Sequence, residues 1–332
     1  MNSIEKHECY KGIRVLVTGA SGFIGRWVAK LLSEKGGELY IVSRDRSRLN
    51  RVSKAYSISG IRIDLDLTEK KAFHKLFKEI KPDITFNLIG YGISNLEKDE
   101  ETTWRINAKL PEDMALTVLQ ENNSKWKGIS FVHVGSGFEY GSIPYEISES
   151  TEPKPMTIYG RSKLAGTKKI QEICRKMGLR AVTARLFTVY GPGEYSQRLL
   201  PSLMRVAKSG ECLNLTKGEQ KRDFTYVKDV AFGLIKLGLL PEVPGNMVNL
   251  ATGKLTSVKD FVEYARSILG IEPIRLLFGA IPYREDEIWQ GNVNVNFLKR
   301  CINWIPSCSI YEGIKESVEF EESIALKRSS QK

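Results

Sequence analysis

Histidine and cysteine are scarce in this sequence. Both are common metal ligands, and cysteine alone forms disulfides. The 332 residues of the chain include 3 histidines, far apart along the chain, and 5 cysteines: Cys9, Cys174, Cys212, Cys301 and Cys308. The cysteines are odd in number and scattered, with no C-x-x-C pair, which argues against a disulfide framework and against a zinc site. We therefore expect reduced thiols in a cytoplasmic protein that binds no metal ion.

Long apolar runs are also missing. No stretch approaches the ~18 consecutive apolar residues that a membrane-spanning helix needs. The N-terminal segment, residues 1–11, is polar and charged and lacks the apolar core of a signal peptide. Hydrophobic residues make up 42% of the chain and charged residues 27%, which is typical of globular proteins. We expect no membrane partner.

The basic residues do not form a dense tract, although the net charge is +11. A nucleic-acid-binding protein usually concentrates its positive charge on one face or in one segment. A dispersed excess agrees better with small ligands rich in phosphate, which a positive cleft attracts. We therefore expect a phosphate-bearing cofactor and substrate, and no nucleic acid.

The most informative stretch, residues 14–25, reads RVLVTGASGFIG. An apolar run typical of a buried strand leads into evenly spaced glycines, and a helical pattern begins at Phe23. A glycine turn between a strand and a helix lets a phosphate approach backbone N–H groups and the positive end of the helix dipole. We interpret it as a dinucleotide site, the alternative being a purely structural turn. The candidate cofactor contacts here are Gly19, Ser21, Gly22, Phe23, Ile24 and Gly25.

Strand and helix patterns alternate through the first half of the chain. The predicted strands are residues 13–18, 39–43, 61–65, 84–89, 129–134 and 181–187, and the predicted helices are residues 23–35, 69–80, 103–122 and 157–177. Such alternation predicts an α/β fold of the Rossmann type, a doubly wound parallel sheet with helices on both faces. Ligands bind such sheets beyond the carboxyl ends of the strands, where the motifs described next are found.

The end of the second strand bears on the choice of cofactor. Enzymes that use NAD commonly have an acidic residue here, which hydrogen-bonds the adenosine ribose, whereas this chain has Ser43 and Arg44. A guanidinium binds the 2′-phosphate that an acid would repel. The pattern favours NADP, with NAD as the alternative. Arg44 would also be explained if it were only a solvated loop residue.

Residues at the ends of other strands complete the predicted cofactor site. Asp66, before Leu67, is placed to accept a hydrogen bond from the adenine amino group, or else to cap the helix that begins near Glu69. Small or apolar residues at the ends of the fourth and sixth strands would let the cofactor lie flat. With Leu67, the candidate contacts at these strand ends are Leu88, Gly90 and Leu186.

Three residues suit carbonyl reduction. Ser136 follows the fifth strand, and Tyr159 and Lys163 are separated by one helical turn, so they share a face. The Tyr159 hydroxyl can protonate the carbonyl oxygen, but its ordinary pKa of about 10 is high. We expect the Lys163 ammonium to lower that pKa and to hold the nicotinamide ribose. The Ser136 hydroxyl would orient the carbonyl, so we predict that all three are catalytic.

Taken together, these motifs resemble the extended short-chain dehydrogenase/reductase family of nucleotide-sugar epimerases, dehydratases and reductases. The resemblance is carried by TGASGFIG (residues 18–25), GSGFEYG (135–141), YGRSK (159–163), RLFTVYGPG (185–193) and GEQKRDFTYVKDV (218–230). It implies catalytic roles for Ser136, Tyr159 and Lys163 and a supporting role for Asn107. Thr188 stands where the family usually has asparagine.

The second half of the chain is expected to bind the substrate. We assign residues 1–187 and 228–252 to the cofactor domain, and residues 188–227 and 253–326 to a smaller α/β substrate domain. The candidate substrate contacts are Ser136, Thr188, Arg198, Arg222 and Arg284. Arg222 resembles the family's diphosphate-binding arginine, the alternative being an Arg222–Asp223 pair that fixes the loop.

The residues after Ser136 separate the reactions of the family. The dehydratase branch places an acid–base pair where this chain has Gly137 and Phe138, and Glu139 would point to the opposite face of an extended segment. We therefore predict an NADPH-dependent reductase of the 4-keto group of a nucleotide-linked deoxysugar of the 4-keto-6-deoxy type, with Tyr159 as general acid, in deoxysugar biosynthesis. The alternatives are an NAD-dependent 4-epimerase and a non-catalytic NADP-binding or RNA-associated protein. The resemblance also implies a homodimer.

Overall fold

A computed structural model describes residues 9–69, 71–93, 97 and 99–329. Its centre is a parallel sheet of 7 strands in the order β10-β6-β5-β4-β1-β2-β3. The strands of this sheet are β1 (Arg14–Thr18), β2 (Glu38–Ser43), β3 (Ile61–Asp64), β4 (Ile84–Asn87), β5 (Phe131–Ser136), β6 (Ala181–Leu186) and β10 (Met247–Leu250). This confirms the predicted Rossmann-type α/β fold.

Helices cover both faces of the sheet. Their bounds are α1 (Phe23–Glu34), α2 (Arg46–Tyr56), α3 (Ala72–Ile80), α4 (Glu100–Trp104), α5 (Leu110–Glu121), α6 (Ile158–Met177), α7 (Leu199–Ser209), α8 (Val227–Gly238), α9 (Val258–Leu269), α10 (Asn296–Ile302) and α11 (Ile310–Ser329). Alternate residues of β1 point to opposite faces: Val15 and Val17 pack with α1 and α8, and Leu16 packs with α3, α5 and α6. Among the described residues, no helix has both the length and the apolarity to cross a bilayer.

The sheet creates a crevice beside β1. Val15 of β1 pairs with Leu39 of β2 on one side and with Ile84 of β4 on the other. From β1 the chain continues to β2 and β3 on one side of β1, and then crosses over to β4 on its other side. A doubly wound sheet binds its ligand at such a reversal, beyond the carboxyl ends of the strands.

Two smaller sheets lie in the second half of the chain. One contains β7 (Thr188–Tyr190), β9 (Lys221–Tyr226) and β11 (Leu255–Ser257), and the other contains β8 (Leu213–Leu215) and β12 (Leu276–Phe278). None of these short strands was predicted, because their few residues show no period that distinguishes them from loops. The proposed boundaries between the two domains stay a prediction.

Sequence patterns also missed three features of the first half. Helix α2 was read as a loop, although Asp45 caps it by accepting a hydrogen bond from the Arg48 N–H at 2.8 Å. The predicted helix over residues 103–122 is interrupted by a π-helical turn at Arg105–Lys109. Strand β5 runs two residues further than predicted and ends at Ser136.

Candidate active site

The glycine turn closes against the end of β4. Gly19 has a φ of +71°, and a Cβ there would lie 2.8 Å from the Leu88 carbonyl oxygen. A Cβ on Gly25 would lie 2.1 Å from the Gly19 oxygen, so this glycine lets α1 start directly on the turn. Gly22 is the N-cap and provides no side-chain cap. The N–H groups of the first turn are therefore left for an anion, which fits the diphosphate of a dinucleotide.

Arg26 holds the turn from behind, and sequence reasoning missed it. Its Nε donates to the Gly22 oxygen at 2.9 Å and its Nη2 to the Ser21 oxygen at 3.1 Å. Its Nη1 reaches the hydroxyl of Tyr56 at 3.3 Å. Its position one helical turn after Gly22 was the available signal, because residues four apart on a helix meet.

The end of β2 has no acidic residue pointing at the crevice. The Ser43 hydroxyl lies 2.9 Å from the Ser21 hydroxyl, which joins this strand end to the glycine turn. Arg44 follows and is exposed. The next carboxylate, Asp45, is occupied in capping α2. A hydroxyl and a guanidinium therefore stand where the adenosine ribose of a bound dinucleotide would lie.

Asp66 closes a turn after β3 and does not cap α3. Its Oδ1 accepts from the Thr68 N–H at 2.8 Å and from the Thr68 hydroxyl at 2.7 Å. Helix α3 begins only at Ala72, so the capping alternative was wrong. Burial raises the pKa of the Asp66 carboxyl, but the bonds from Thr68 and the charges of Arg44 and Arg105 outweigh it, and the net pKa is lowered. Arg105 is thus a second cation at this edge.

The other predicted cofactor contacts lie along the same edge. Leu88 follows β4 against Gly19, and Gly90 lies near the Asn107 side chain. Leu186 ends β6 beside Ser136, its partner in the sheet register. Leu67 is buried after Asp66. The structure therefore brings these residues to the carboxyl ends of the strands, as the fold requires.

Ser136, Tyr159 and Lys163 converge between the end of β5 and the start of α6. Thr157 caps α6 by accepting from the Gly160 N–H at 2.9 Å, which fixes Tyr159 in the first turn. The Ser136 hydroxyl lies close enough to the Tyr159 hydroxyl to lower the pKa of Tyr159. One turn further, the Lys163 ammonium donates to the Val134 carbonyl oxygen at 2.5 Å. The spacing read from the sequence is therefore realised as one cluster.

Burial dominates the electrostatics of this cluster. It raises the pKa of Tyr159 to about 12, and the nearby Ser136 hydroxyl opposes this increase only in part. It lowers the pKa of Lys163 to about 8. The predicted lowering of the tyrosine pKa by Lys163 was wrong for this state, because desolvation disfavours the phenolate. Tyr159 is accordingly protonated at neutral pH.

Glu139 lies below the cluster and not on the opposite face. The segment Gly137–Glu139 is a 3₁₀ turn rather than an extended strand, which brings the side chain inward. Its Oε1 accepts from the Ser136 N–H at 2.8 Å, and its Oε2 pairs with the Arg185 Nε at 2.7 Å. Both side chains are buried. The carboxylate thus holds Ser136 in place from behind.

Asn107 lies in the π-helical turn and links the loop after β4 to α6. Its side chain accepts from the Tyr91 N–H at 3.1 Å and donates to the Tyr91 oxygen at 2.7 Å. It also donates to the Ser162 hydroxyl at 3.0 Å. A π-turn re-aims side chains within a helix and is common near functional sites. Asn107 therefore supports the segment that carries Lys163.

Among the candidate substrate residues, Arg198 and Arg222 lie close to each other. Arg198 lies close enough to Tyr159 and to Arg222 to influence the pKa of each. The Arg222 guanidinium pairs with Glu287 and donates to the Ile288 oxygen at 2.6 Å. The Arg222–Asp223 pair was wrong: the Asp223 carboxylate accepts from the Thr252 and Gly253 N–H groups.

Thr188 and Arg284 are the remaining candidate substrate residues. Thr188 is half-buried at the start of β7 and pairs with Phe224 in the register of the small sheet. Arg284 is exposed on the segment that Arg222 holds, where its carbonyl oxygen accepts from the Glu287 N–H at 3.1 Å. Sequence reasoning missed Glu287, because a partner 65 residues away leaves no local signal.

A dinucleotide-binding turn and a Ser–Tyr–Lys cluster at one sheet edge define an oxidoreductase of the extended short-chain dehydrogenase/reductase type. Residues 15–251 match the model of the NAD dependent epimerase/dehydratase family. The chain belongs to this family.

Relatives of known description are distant but cover almost the whole chain. CDP-abequose synthase of Salmonella typhimurium strain LT2 is 27% identical over 91% of this chain and 96% of its own length. The protein YtcB of Bacillus subtilis strain 168, described as an uncharacterized UDP-glucose epimerase, is 23% identical over 94% of this chain and 99% of its own. The solved structure of MoeE5 in complex with UDP-glucose and NAD is similar with a TM-score of 0.80 and 25% identity, over 93% of this chain and 99% of that one.

Proposed function

We propose that the protein reduces the 4-keto group of a nucleotide-diphospho-deoxysugar of the 4-keto-6-deoxy type, with NADPH as the reductant. The observation that carries the proposal is the surroundings of Tyr159. Its hydroxyl lies near enough to Ser136 for that residue to lower its pKa, and the Phe138 ring packs edge-on against the Tyr159 ring at 5.7 Å between centroids. Dehydration needs an acid–base pair at Gly137 and Phe138, and the neighbouring Glu139 is committed to Arg185.

Each member of the cluster has a physical role in this reaction. Bound NADPH supplies the hydride. The Ser136 hydroxyl donates a hydrogen bond to the carbonyl oxygen and fixes its orientation. Tyr159 gives its proton to that oxygen as negative charge develops, which its high pKa allows from the start of the reaction. The Lys163 ammonium, held at the Val134 oxygen, stabilises the phenolate that remains and would bind the nicotinamide ribose.

The preference for NADPH rests on the end of β2. Ser43 and Arg44 can hydrogen-bond and neutralise a 2′-phosphate, and Arg105 adds positive charge near the same edge, since both arginines lower the pKa of Asp66. The glycine turn and its helix N-terminus would hold the diphosphate. Arg198, Arg222 and Arg284 are proposed to bind the anionic part of the substrate, and a relative named for a CDP-linked sugar agrees with that class. The predicted homodimer and cytoplasmic location stay predictions.

The second candidate is an NAD-dependent 4-epimerase of nucleotide sugars. It is favoured by the relative described as a UDP-glucose epimerase and by the neighbour solved with UDP-glucose and NAD. An epimerase must hold NAD tightly and reuse it. The end of β2 carries Ser43 and Arg44 in place of the acidic residue that commonly binds the ribose of NAD, which is why we place the reductase first.

The test measures NADPH oxidation with a panel of 4-keto-6-deoxy sugars linked to CDP, UDP and dTDP. We expect turnover with at least one of them and a fall of about 10³-fold in kcat for Tyr159→Phe. Tyr264→Phe, an exposed tyrosine on α9, is the matched control and should keep full activity. Co-purified NAD together with interconversion of 4-hydroxyl sugars, without net redox change, would identify the epimerase instead. A chain that binds NADPH and shows neither activity would support a non-catalytic role.

A further inference from the structure

Almost half of the net charge of the protein comes from one short segment. The chain has a net charge of +11, and residues 44–62 contain six basic residues and one acidic residue, a net charge of +5. This segment comprises the loop before α2, helix α2 itself and the start of β3, the edge strand of the central sheet. The positive charge is therefore less dispersed than we expected from the sequence.

Five arginines of this segment make up what we call the arginine patch: Arg44, Arg46, Arg48, Arg51 and Arg62. All are exposed except Arg48, which is half-buried. The buried residues of α2 form its inner face, so the arginines of the helix face solvent. Arg46 and Arg62 line the same surface groove of about 390 Å³, which places an arginine of the helix beside one of the edge strand.

The arginine patch keeps its positive charge because its members contact uncharged groups. The Arg51 guanidinium donates to the Ser47 hydroxyl at 2.6 Å. The Arg48 guanidinium lies over the Tyr195 ring, 6.0 Å from its centroid. Exposed lysines on other helices are instead paired with acids four residues away. Within the part of the chain that the structure describes, no arginine of the patch forms an ion pair of this kind.

The arginine patch is continuous with the cofactor crevice. Arg44 directly follows Ser43, whose hydroxyl lies 2.9 Å from that of Ser21 in the glycine turn. Helix α2 begins at Arg46, so the arginines of the helix follow within its first two turns. The positive charge therefore extends from the glycine turn to the outer corner of the molecule, and an anion that approaches this corner is attracted toward the turn.

We infer that the outer arginines of the patch, Arg46, Arg51 and Arg62, set the rate at which NADPH binds by attracting it from solution, and that they do not contact it once it is bound. The 2′-phosphate gives NADPH about 1.5–2 more negative charges than NADH at pH 7, so the patch attracts NADPH more strongly. Charge of one sign beside a cleft raises association rates by about 10–10³-fold, and salt suppresses the effect. The inference rests on the proposed function in one respect, because it takes NADPH as the cofactor.

The test measures the association and dissociation rate constants of NADPH and NADH by stopped-flow tryptophan fluorescence. The salt concentration is raised from about 0.01 M to 1 M, which shortens the Debye length from about 30 Å to 3 Å. At the lowest salt we expect the triple variant Arg46→Gln, Arg51→Gln, Arg62→Gln to bind NADPH about tenfold more slowly and NADH about threefold more slowly. At the highest salt both differences should fall below about twofold. The dissociation rate constants should change less than about twofold throughout.

A second triple variant, Lys125→Gln, Lys127→Gln, Arg175→Gln, is the matched control. It removes the same three positive charges from exposed positions shortly before β5 and β6, at the opposite edge of the sheet. Because these positions are far from the crevice, its rate constants should stay within about twofold of those of the wild type.

The other role open to the patch is to keep the edge strand β3 from pairing with another chain, for which edge strands commonly carry charged residues. An unchanged association rate in the folded patch variant would support that role and overturn the inference. A loss that persists at high salt, that appears in the dissociation rate or that the control shares would also overturn it. Because binding is measured without turnover, a protein that shows the expected rates but reduces no 4-keto sugar would refute only the proposed function. Unchanged association with normal NADPH turnover would refute only the inference.

Discussion

Glu139→Gln tests whether the buried carboxylate below the active site is structural or catalytic. In the wild type Oε1 accepts from the Ser136 N–H at 2.8 Å and Oε2 from Arg185 Nε at 2.7 Å. Glutamine has the same shape and can still cap Ser136 through its oxygen. Its amide nitrogen, however, then faces the Arg185 guanidinium, so two donors meet and a buried positive charge loses its partner.

The expected cost follows from the burial of both groups. Glu139 is 0% exposed and Arg185 2% exposed, and removing one member of a buried pair costs about 3–5 kcal/mol of unfolding free energy. With 332 residues, an unfolding entropy of about 2.1 cal/mol/K per residue gives roughly 0.7 kcal/mol/K, so Tm should fall by about 4–7 °C. The Arg185 guanidinium also lies over the Tyr140 ring, 4.4 Å from its centroid. A cation–π contact is worth about 0.5–2 kcal/mol, so it offsets little of the cost of losing the carboxylate.

Urea unfolding followed by tryptophan fluorescence measures this cost, and NADPH oxidation measures activity in parallel. We expect kcat to fall less than about tenfold, because Glu139 has a structural role here. Loss of a general acid or base would instead lower kcat by about 10²–10⁴-fold. Arg185→Met added to Glu139→Gln should restore most of the lost stability, since no unpaired charge is left. Glu172→Gln, which breaks the exposed pair with Lys176, is the control and should cost less than about 1 kcal/mol.

One outcome would refute this reasoning. If Glu139→Gln kept the unfolding free energy of the wild type and lost more than about 100-fold in kcat, the carboxylate would be a catalytic acid or base. The dehydratase reaction would then have to be reconsidered, because Glu139 would replace the missing pair at Gly137 and Phe138.

Three further predictions address the rest of the site. Lys163→Met should abolish reduction yet raise the unfolding free energy of the cofactor-free protein at pH 7 by an amount on the order of 3 kcal/mol, because burial lowers the pKa of Lys163 to about 8. Lys163 binds a proton less readily in the folded than in the unfolded chain, so this gain should shrink as the pH rises from about 8 toward the unfolded pKa of about 10.4. Urea titrations measure the gain, and a variant less stable than the wild type at pH 7 would contradict the prediction. Arg44→Asp should lower the ratio of kcat/KM for NADPH to that for NADH by at least about tenfold, and an unchanged ratio in steady-state assays would exclude the arginine from cofactor choice. Gly25→Ala should cost about 3 kcal/mol and weaken NADPH binding in a titration, because its Cβ would meet the Gly19 oxygen at 2.1 Å. Gly178→Ala, whose Cβ meets nothing within 4 Å, should cost only about 1 kcal/mol through its positive φ and leave binding intact.

Local spacing accounts for the parts of the site that could be predicted. A helix repeats every 3.6 residues, so Tyr159 and Lys163 had to share a face wherever α6 packs. The spacing of Gly19, Gly22 and Gly25 likewise determined a turn that a phosphate can approach. The inner strands β1, β4, β5 and β6 were recognised because a strand inside a parallel sheet is buried on both faces and needs a continuous apolar run.

Contacts between distant segments could not be predicted. The partner of Arg222 is 65 residues away, and no periodicity links two such positions. Glu139 was expected on the opposite face because a strand alternates sides, but a 3₁₀ turn rotates it inward. The pKa of Tyr159 depends on how much water the packed cleft excludes, and the sequence contains no measure of that.

By itself, then, the sequence determined the sheet, the dinucleotide turn and the Ser136–Tyr159–Lys163 cluster, because each follows from the pitch of one helix or the end of one strand. The tertiary structure decided which charges face the cleft. It buried Glu139 against Arg185, paired Arg222 with Glu287, and paired Arg198 with Glu194. Ion pairs of this kind depend on the desolvation and packing of segments that meet only in the folded chain.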